Sequence, residues 1–109
     1  KMNTIIIQIP LQSDKKSEWE TLLNSAEGIA LTSKQKGFIS AEYGFSTNDA
    51  GDLVWNLWEK WEAKEDYDNY NAIPERLEDS KFMKTFISVM AGAPTMQWLD
   101  DVKLFKPVY

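Results

Sequence analysis

Five side chains between positions 59 and 86 carry most of the chemistry open to this chain. Glu59, Trp61, Tyr67, Tyr70 and Phe86 combine one carboxylate with four aromatic rings. Aromatic rings supply large apolar area, and phenol and indole each add one polar handle, so Trp61, Tyr67, Tyr70 and Phe86 can line a slot for a flat ligand. Trp61 and Phe86 equally suit plain core packing, because any small domain needs bulky residues between its layers. Tyr67 and Tyr70 are the stronger ligand contacts, since a buried phenol needs a partner. Glu59 is the one ionisable residue sharing a face with Leu53, Trp55, Leu57 and Trp61. Withdrawn from water, its pKa rises toward the range in which it removes a phenolic proton. At a sheet edge it would instead pair with Lys60 or Lys64.

Missing residue types narrow the chemistry further. The 109 residues include neither cysteine nor histidine. Disulfides, thiolate nucleophiles, Cys-ligated metals, imidazole bases and imidazole ligands are therefore outside this chain's means. No phosphate-binding glycine loop, metal-ligand spacing or nucleophile motif is present. Lys plus Arg number 12 against 17 Asp plus Glu, a net charge of −5 that repels a phosphate backbone, so nucleic acid is not an expected partner. No run approaches the roughly 20 apolar residues a bilayer span requires, so no membrane association and a soluble, cytoplasmic protein are expected. Met2 reads as the natural start, with Lys1 a leftover ahead of it. Asp100 and Asp101 would fall on opposite faces of a strand, and the acidic stretch 62 to 68 reads as a solvated helix start.

Alternation and helical spacing define the elements that must position these residues. Residues 4 to 11 place Ile5, Ile7, Ile9 and Leu11 on one side and Ile6 on the other, as a strand covered on both faces would. Ser17 and Glu20 have capping-box spacing, and Trp19, Leu22, Leu23, Ala26, Ile29 and Ala30 follow as one helical stripe that Gly37 would end. Ile39, Ala41, Tyr43 and Phe45 alternate in a second strand, and the turn 47 to 51 predicts a hairpin to a third strand, Asp52 to Glu62. A short helix over about 64–71 and a longer one, capped by Asp79 or Ser80 and ending at Gly92, come next. The longer helix would bury Phe82, Met83, Phe86, Ile87 and Met90. Residues 95 to 106 read as a fourth strand, with Met96, Trp98, Val102 and Leu104 on one side and Leu99 and Phe105 on the other. The order βαββαβ is the split-βαβ pattern: an α+β, ferredoxin-like single domain over 2–109 with a four-stranded antiparallel sheet and helices on one face.

Helices then cover only one sheet face, and the other is not polar. Val54 and Trp58 oppose the Leu53 to Trp61 face, as Ile6 opposes Ile5, Ile7 and Ile9. An apolar face of that kind marks an interface, so a homodimer packed through its helix-free sheet faces is expected. Loops and chain ends covering that face are the alternative.

Gly37-Phe38 opening a strand, Leu57-Trp58-Glu59-Lys60-Trp61-Glu62 running into a short helix, and Ser80-Lys81-Phe82 starting the next together resemble the antibiotic biosynthesis monooxygenase (ABM) domain. The most specific piece is Glu59-x-Trp61 followed by Glu65-Asp66-Tyr67. The resemblance implies the dimeric α+β barrel fold. It also implies a pocket between sheet and helices for a small aromatic or quinone-like compound, with Trp61 and Tyr67 at that pocket. Many such proteins need neither metal nor flavin, so no cofactor is expected. A His common in the short helix falls at Tyr70, and an Asn of some oxygenases falls at Leu57, with Asn56 pointing to the other face. Two functions remain open: a cofactor-independent monooxygenase using Tyr67 and Glu59, or a non-catalytic ligand-binding or stress-response barrel.

Overall fold

Strand β1, Asn3–Leu11, follows directly from its alternation: Ile5, Ile7, Ile9 and Leu11 are all buried under the helices while Ile6 turns the other way, half-buried. A computed structural model describes residues 2–108; Lys1 and Tyr109, the last residue of the expected domain, lie outside the described residues. Strands β2 (Phe38–Thr47), β3 (Leu53–Trp61) and β4 (Thr95–Leu99) complete an antiparallel sheet in the order β2-β3-β1-β4. Helices α1 (Lys16–Leu23), α2 (Ile29–Ser33), α3 (Lys64–Asn71) and α4 (Lys81–Ser88), with a 3₁₀ turn at Pro74–Arg76, complete the βαββαβ succession. The fold is the expected ferredoxin-like α+β one, and its core is the inner sheet face packed on Trp19, Leu23, Tyr67 and Val89.

Several local expectations are corrected. The Ser17–Glu20 capping box does not form: Lys15 caps α1 without a side-chain hydrogen bond. The turn that ties Lys15 N to Gln12 O starts the helix early and leaves Ser17 inside it. The long stripe is also cut in two after Leu23. Ser25 Oγ donates to Leu22 O, and Gly28 comes so close to the Leu23 carbonyl that any Cβ there would overlap it, so α2 leaves on a new axis. Gly37 ends no helix; its φ of +86° opens β2 beneath the Asp66 side chain.

In β2 a bulge between Phe38 and Ser40 sets Phe38 opposite Trp61, so Phe38 takes the inner face and Ile39 is displaced toward solvent. Helix α4 stops at Ser88, short of Gly92, and Ile87 is 45% exposed. Val89 takes its place in the core, because Gln12 N bonds Val89 O and Ala91 N bonds Pro10 O, drawing 89–91 onto the end of β1. Between the two proposed caps Ser80 is the one used, its Oγ accepting from Met83 N at 3.1 Å. The last strand ends at Leu99: Asp101 has φ +54°, which breaks the ladder and leaves Val102, Leu104 and Phe105 exposed. The helix-free face is less bare than its pattern implies, with Val54 buried and Ile6 and Trp58 half-buried within one chain. No helix of the described residues is long and apolar enough to cross a membrane.

Candidate functional site

A cavity of about 190 Å³ lies between the inner sheet face and the helices. Its floor is Ile7 and Ile9 of β1 with Trp55, Leu57 and Glu59 of β3, side chains that alternation alone sends to one face. Tyr67, Tyr70 and Asn71 of α3 and Phe82, Met83 and Phe86 of α4 close it from above. Asn71, Pro94 and Met96 are the surface-exposed lining residues and mark the mouth.

Glu59 is 2% exposed, and burial raises its pKa against the opposing pull of the Trp61 hydrogen bond and the Arg76 charge. Its Oε1 accepts from Trp61 Nε1 at 2.7 Å. Neither lysine suggested as a partner reaches it: Lys60 points to the opposite face by alternation, and Lys64 Nζ sits 5.5 Å from the Trp98 ring centroid. Among the described residues the one ion pair is Lys15 with Glu18, far from the cavity in sequence and exposed. A buried carboxylate with no paired cation is costly, so the position is not explained by stability.

Tyr67 is 8% exposed and its pKa is pushed up to about 12, chiefly by burial, so the phenol remains protonated throughout the physiological range. Its hydroxyl donates to Met96 Sδ at 3.6 Å, a weak acceptor that a ligand oxygen would outcompete. Trp61 does not line the cavity. It stands behind it, fully buried, holding Glu59 through its indole N–H and stacking on Tyr70 at 5.4 Å. Phe86 lines the cavity and packs on Trp19, with ring centroids 4.6 Å apart.

The principal lining residue not anticipated from sequence is Arg76. Its Nε donates to Tyr70 Oη at 2.7 Å, and one terminal nitrogen donates to Glu27 O, Gly28 O and Thr32 Oγ1 at 2.5, 3.1 and 3.3 Å. Thr32 Oγ1 lies 2.8 Å from Tyr70 Oη. The guanidinium also covers the Phe82 ring, 4.2 Å from its centroid. It clasps the segment 27–32 to α3 and so fixes the roof; its signal in the sequence is that it is the single arginine among 12 basic residues. Among the described residues no group of three or more acidic side chains stands together to hold a metal ion.

Known structures share this architecture. SnoaB, a cofactor-independent oxygenase from Streptomyces nogalater, aligns with a TM-score of 0.74 over 97% of this chain and 98% of its own, at 12% identity. A protein provisionally named an antibiotic biosynthesis monooxygenase, from Bordetella bronchiseptica, aligns with a TM-score of 0.72 over 94% of this chain and 98% of its own, at 16% identity. The chain has the antibiotic biosynthesis monooxygenase fold. Rv0793 from Mycobacterium tuberculosis, at 19% identity and a TM-score of 0.66, shares the ABM fold over 97% of this chain and 100% of its own. No protein-family model and no curated protein matches the sequence. Within this ABM fold, Leu57 and Tyr70 both face the cavity, while Asn56 is turned away and bonded to Gln8 and Ser46.

Proposed function

We propose that this protein binds a small aromatic phenol or hydroquinone in the cavity and oxidises it with molecular oxygen, without a cofactor, as a monooxygenase. One observation carries this reading: a buried carboxylate without a paired cation, Glu59, and a neutral phenol, Tyr67, open on the same apolar cavity. Glu59 takes the substrate's phenolic proton, and the electron-rich phenolate reduces O2 as a ring carbon–oxygen bond forms. Tyr67 donates a hydrogen bond to the oxygen on which charge develops. The O–O bond then breaks: one oxygen atom stays on the ring and the other leaves as water, so a hydroquinone and O2 give a hydroxyquinone and water. All the electrons come from the substrate.

A second reading, ligand binding without turnover, is favoured by Leu57 and Tyr70 standing where the resemblance expects Asn and His. Oxygen-uptake screening against anthrones and hydroquinones separates the two. Uptake should appear with the native protein and fall about 100-fold in Tyr67→Phe, the usual effect of losing one donor to a developing oxyanion. Ligand binding with no oxygen consumed leaves the second reading.

The working form in this proposal is a cytoplasmic homodimer joined through the helix-free sheet faces. Ile6, Val54, Trp58 and Leu99 support it, since all lie on the face that the helices do not cover.

A further inference from the structure

We propose that Met96, at the mouth of the cavity, is an oxidation site whose sulfoxide takes the Tyr67 hydroxyl away from a ligand. This rests on the cavity being the ligand site with Tyr67 as its donor, and it adds a modification that turns that donor off. Met96 is 60% exposed, lines the cavity, and holds its Sδ 3.6 Å from Tyr67 Oη. The remaining methionines lack that combination. Met2 is 59% exposed but does not line the cavity, Met83 lines it but is half-buried, and Met90 is half-buried away from the lining. Exposure is what makes a thioether open to oxidants in solution. Met96 stands in register with Ile7 of the inner sheet face, so pairing two chains through their outer faces leaves its sulfur open.

With hydrogen peroxide as the oxidant, a lone pair of Sδ attacks one peroxide oxygen. The S–O bond forms as the O–O bond breaks, sulfur gives up an electron pair, and the second oxygen leaves with both protons as water. A weak acceptor has then become a strong one on the same side chain. An O–H···O bond of about 2.7 Å, bent at the acceptor oxygen and continued by one S–O bond, spans roughly 3.6 Å. Tyr67 Oη and Met96 Sδ already stand 3.6 Å apart. The unbranched methionine side chain turns about each of its bonds, so either sulfoxide epimer can present its oxygen to Tyr67. Burial keeps that phenol protonated, its pKa pushed up to about 12. Its single proton serves one acceptor at a time, and what the sulfoxide holds a ligand oxygen loses.

The test treats the protein with hydrogen peroxide, removes the oxidant and locates the added oxygen by peptide mass spectrometry. Met96 should be oxidised along with Met2 and ahead of Met83 and Met90. In protein with carbon-13 at the tyrosine Cζ, the Tyr67 signal, identified by its loss in Tyr67→Phe, should shift on oxidation, and in Met96→Leu it should not. Equilibrium dialysis of 1-naphthol under nitrogen should show binding weakened by about tenfold after oxidation, the worth of one hydrogen bond. Methionine sulfoxide reductases acting on both epimers should restore it, and the affinity of Met96→Leu should agree before and after peroxide to within about twofold. Failure of Met96 to oxidise at a dose that oxidises Met2, an unmoved Tyr67 signal, or an unchanged 1-naphthol affinity in the oxidised native protein overturns the proposal. A native protein that binds no 1-naphthol refutes the ligand reading instead, while the Tyr67 signal still decides whether the sulfoxide captures the hydroxyl.

Discussion

Glu59 shows how one residue's surroundings decide between two roles that its type leaves open. Had Lys60 or Lys64 reached it, it would be a surface ion pair of little energetic consequence. Buried instead, with its Oε1 on Trp61, it titrates above 4.5, the ordinary value of its unfolded form. The folded state then holds the proton more tightly than the unfolded one, so stability is greatest while the carboxyl is protonated and declines as pH rises through the folded pKa. Glu59→Gln removes that decline. The variant is expected to melt higher than the native protein at pH 8, with the gap closing as pH falls toward 4.5, while its oxygen uptake is lost. On the proposed mechanism, kcat/KM of the native protein should rise with pH through a pKa above 4.5. Thermal melts across pH together with oxygen-electrode rates check both. A Glu59→Gln protein that melts lower than the native at pH 8 would show that the carboxylate is structural.

Among the elements, the roof is where sequence pattern misled most. Trp19 to Ala30 reads as one helix because its apolar spacing is unbroken, yet Gly28 and the Ser25 back-bond turn the chain after Leu23. Short α2 cannot hold its place by helix propensity alone. Arg76 anchors it through the carbonyls of Glu27 and Gly28. Lysine lacks the planar fork that reaches Tyr70 and these carbonyls together, so Arg76→Lys should lower stability by about 2 kcal/mol and speed amide exchange selectively over 25–33. The cap of α4 makes a cleaner comparison. Ser80→Ala should cost about 1 kcal/mol, while Asp79→Ala, whose side chain does not cap, should change stability little. Urea unfolding of the two variants distinguishes them.

At the scale of the whole molecule, the two sheet faces carry different residues. The inner one carries Ile7, Leu57 and Glu59 and makes the cavity floor; the outer one carries Ile6, Val54 and Trp58. If the outer faces join two copies, a charge in their midst must be desolvated on association. Trp58→Glu is therefore expected to convert a dimer to a monomer in light scattering at micromolar concentration, with the sheet intact by circular dichroism. A native protein that is already monomeric would refute the dimer. Oxygen uptake by the Trp58→Glu monomer would show that one chain suffices for the site, as the single-chain cavity implies.

Strand alternation and turn chemistry were legible without coordinates, because both are set by neighbours within a few residues: β1, the 47–51 hairpin, α3 over 64–71 and the face shared by Leu57, Glu59 and Trp61 all follow from local spacing. So did the absence of every histidine and cysteine chemistry. The bulge that exchanged Ile39 for Phe38, the burial of Val89 in place of Ile87 and the end of the last strand at Leu99 depend on partners tens of residues away, which no local period encodes. Arg76 belongs to that second class: positions 27, 32 and 70 meet it only after the chain has closed on itself. The burial of the carboxylate without an ion-pair partner is likewise a property of the packed interior, since only the tertiary fold could turn Lys60 aside and close water out around Glu59.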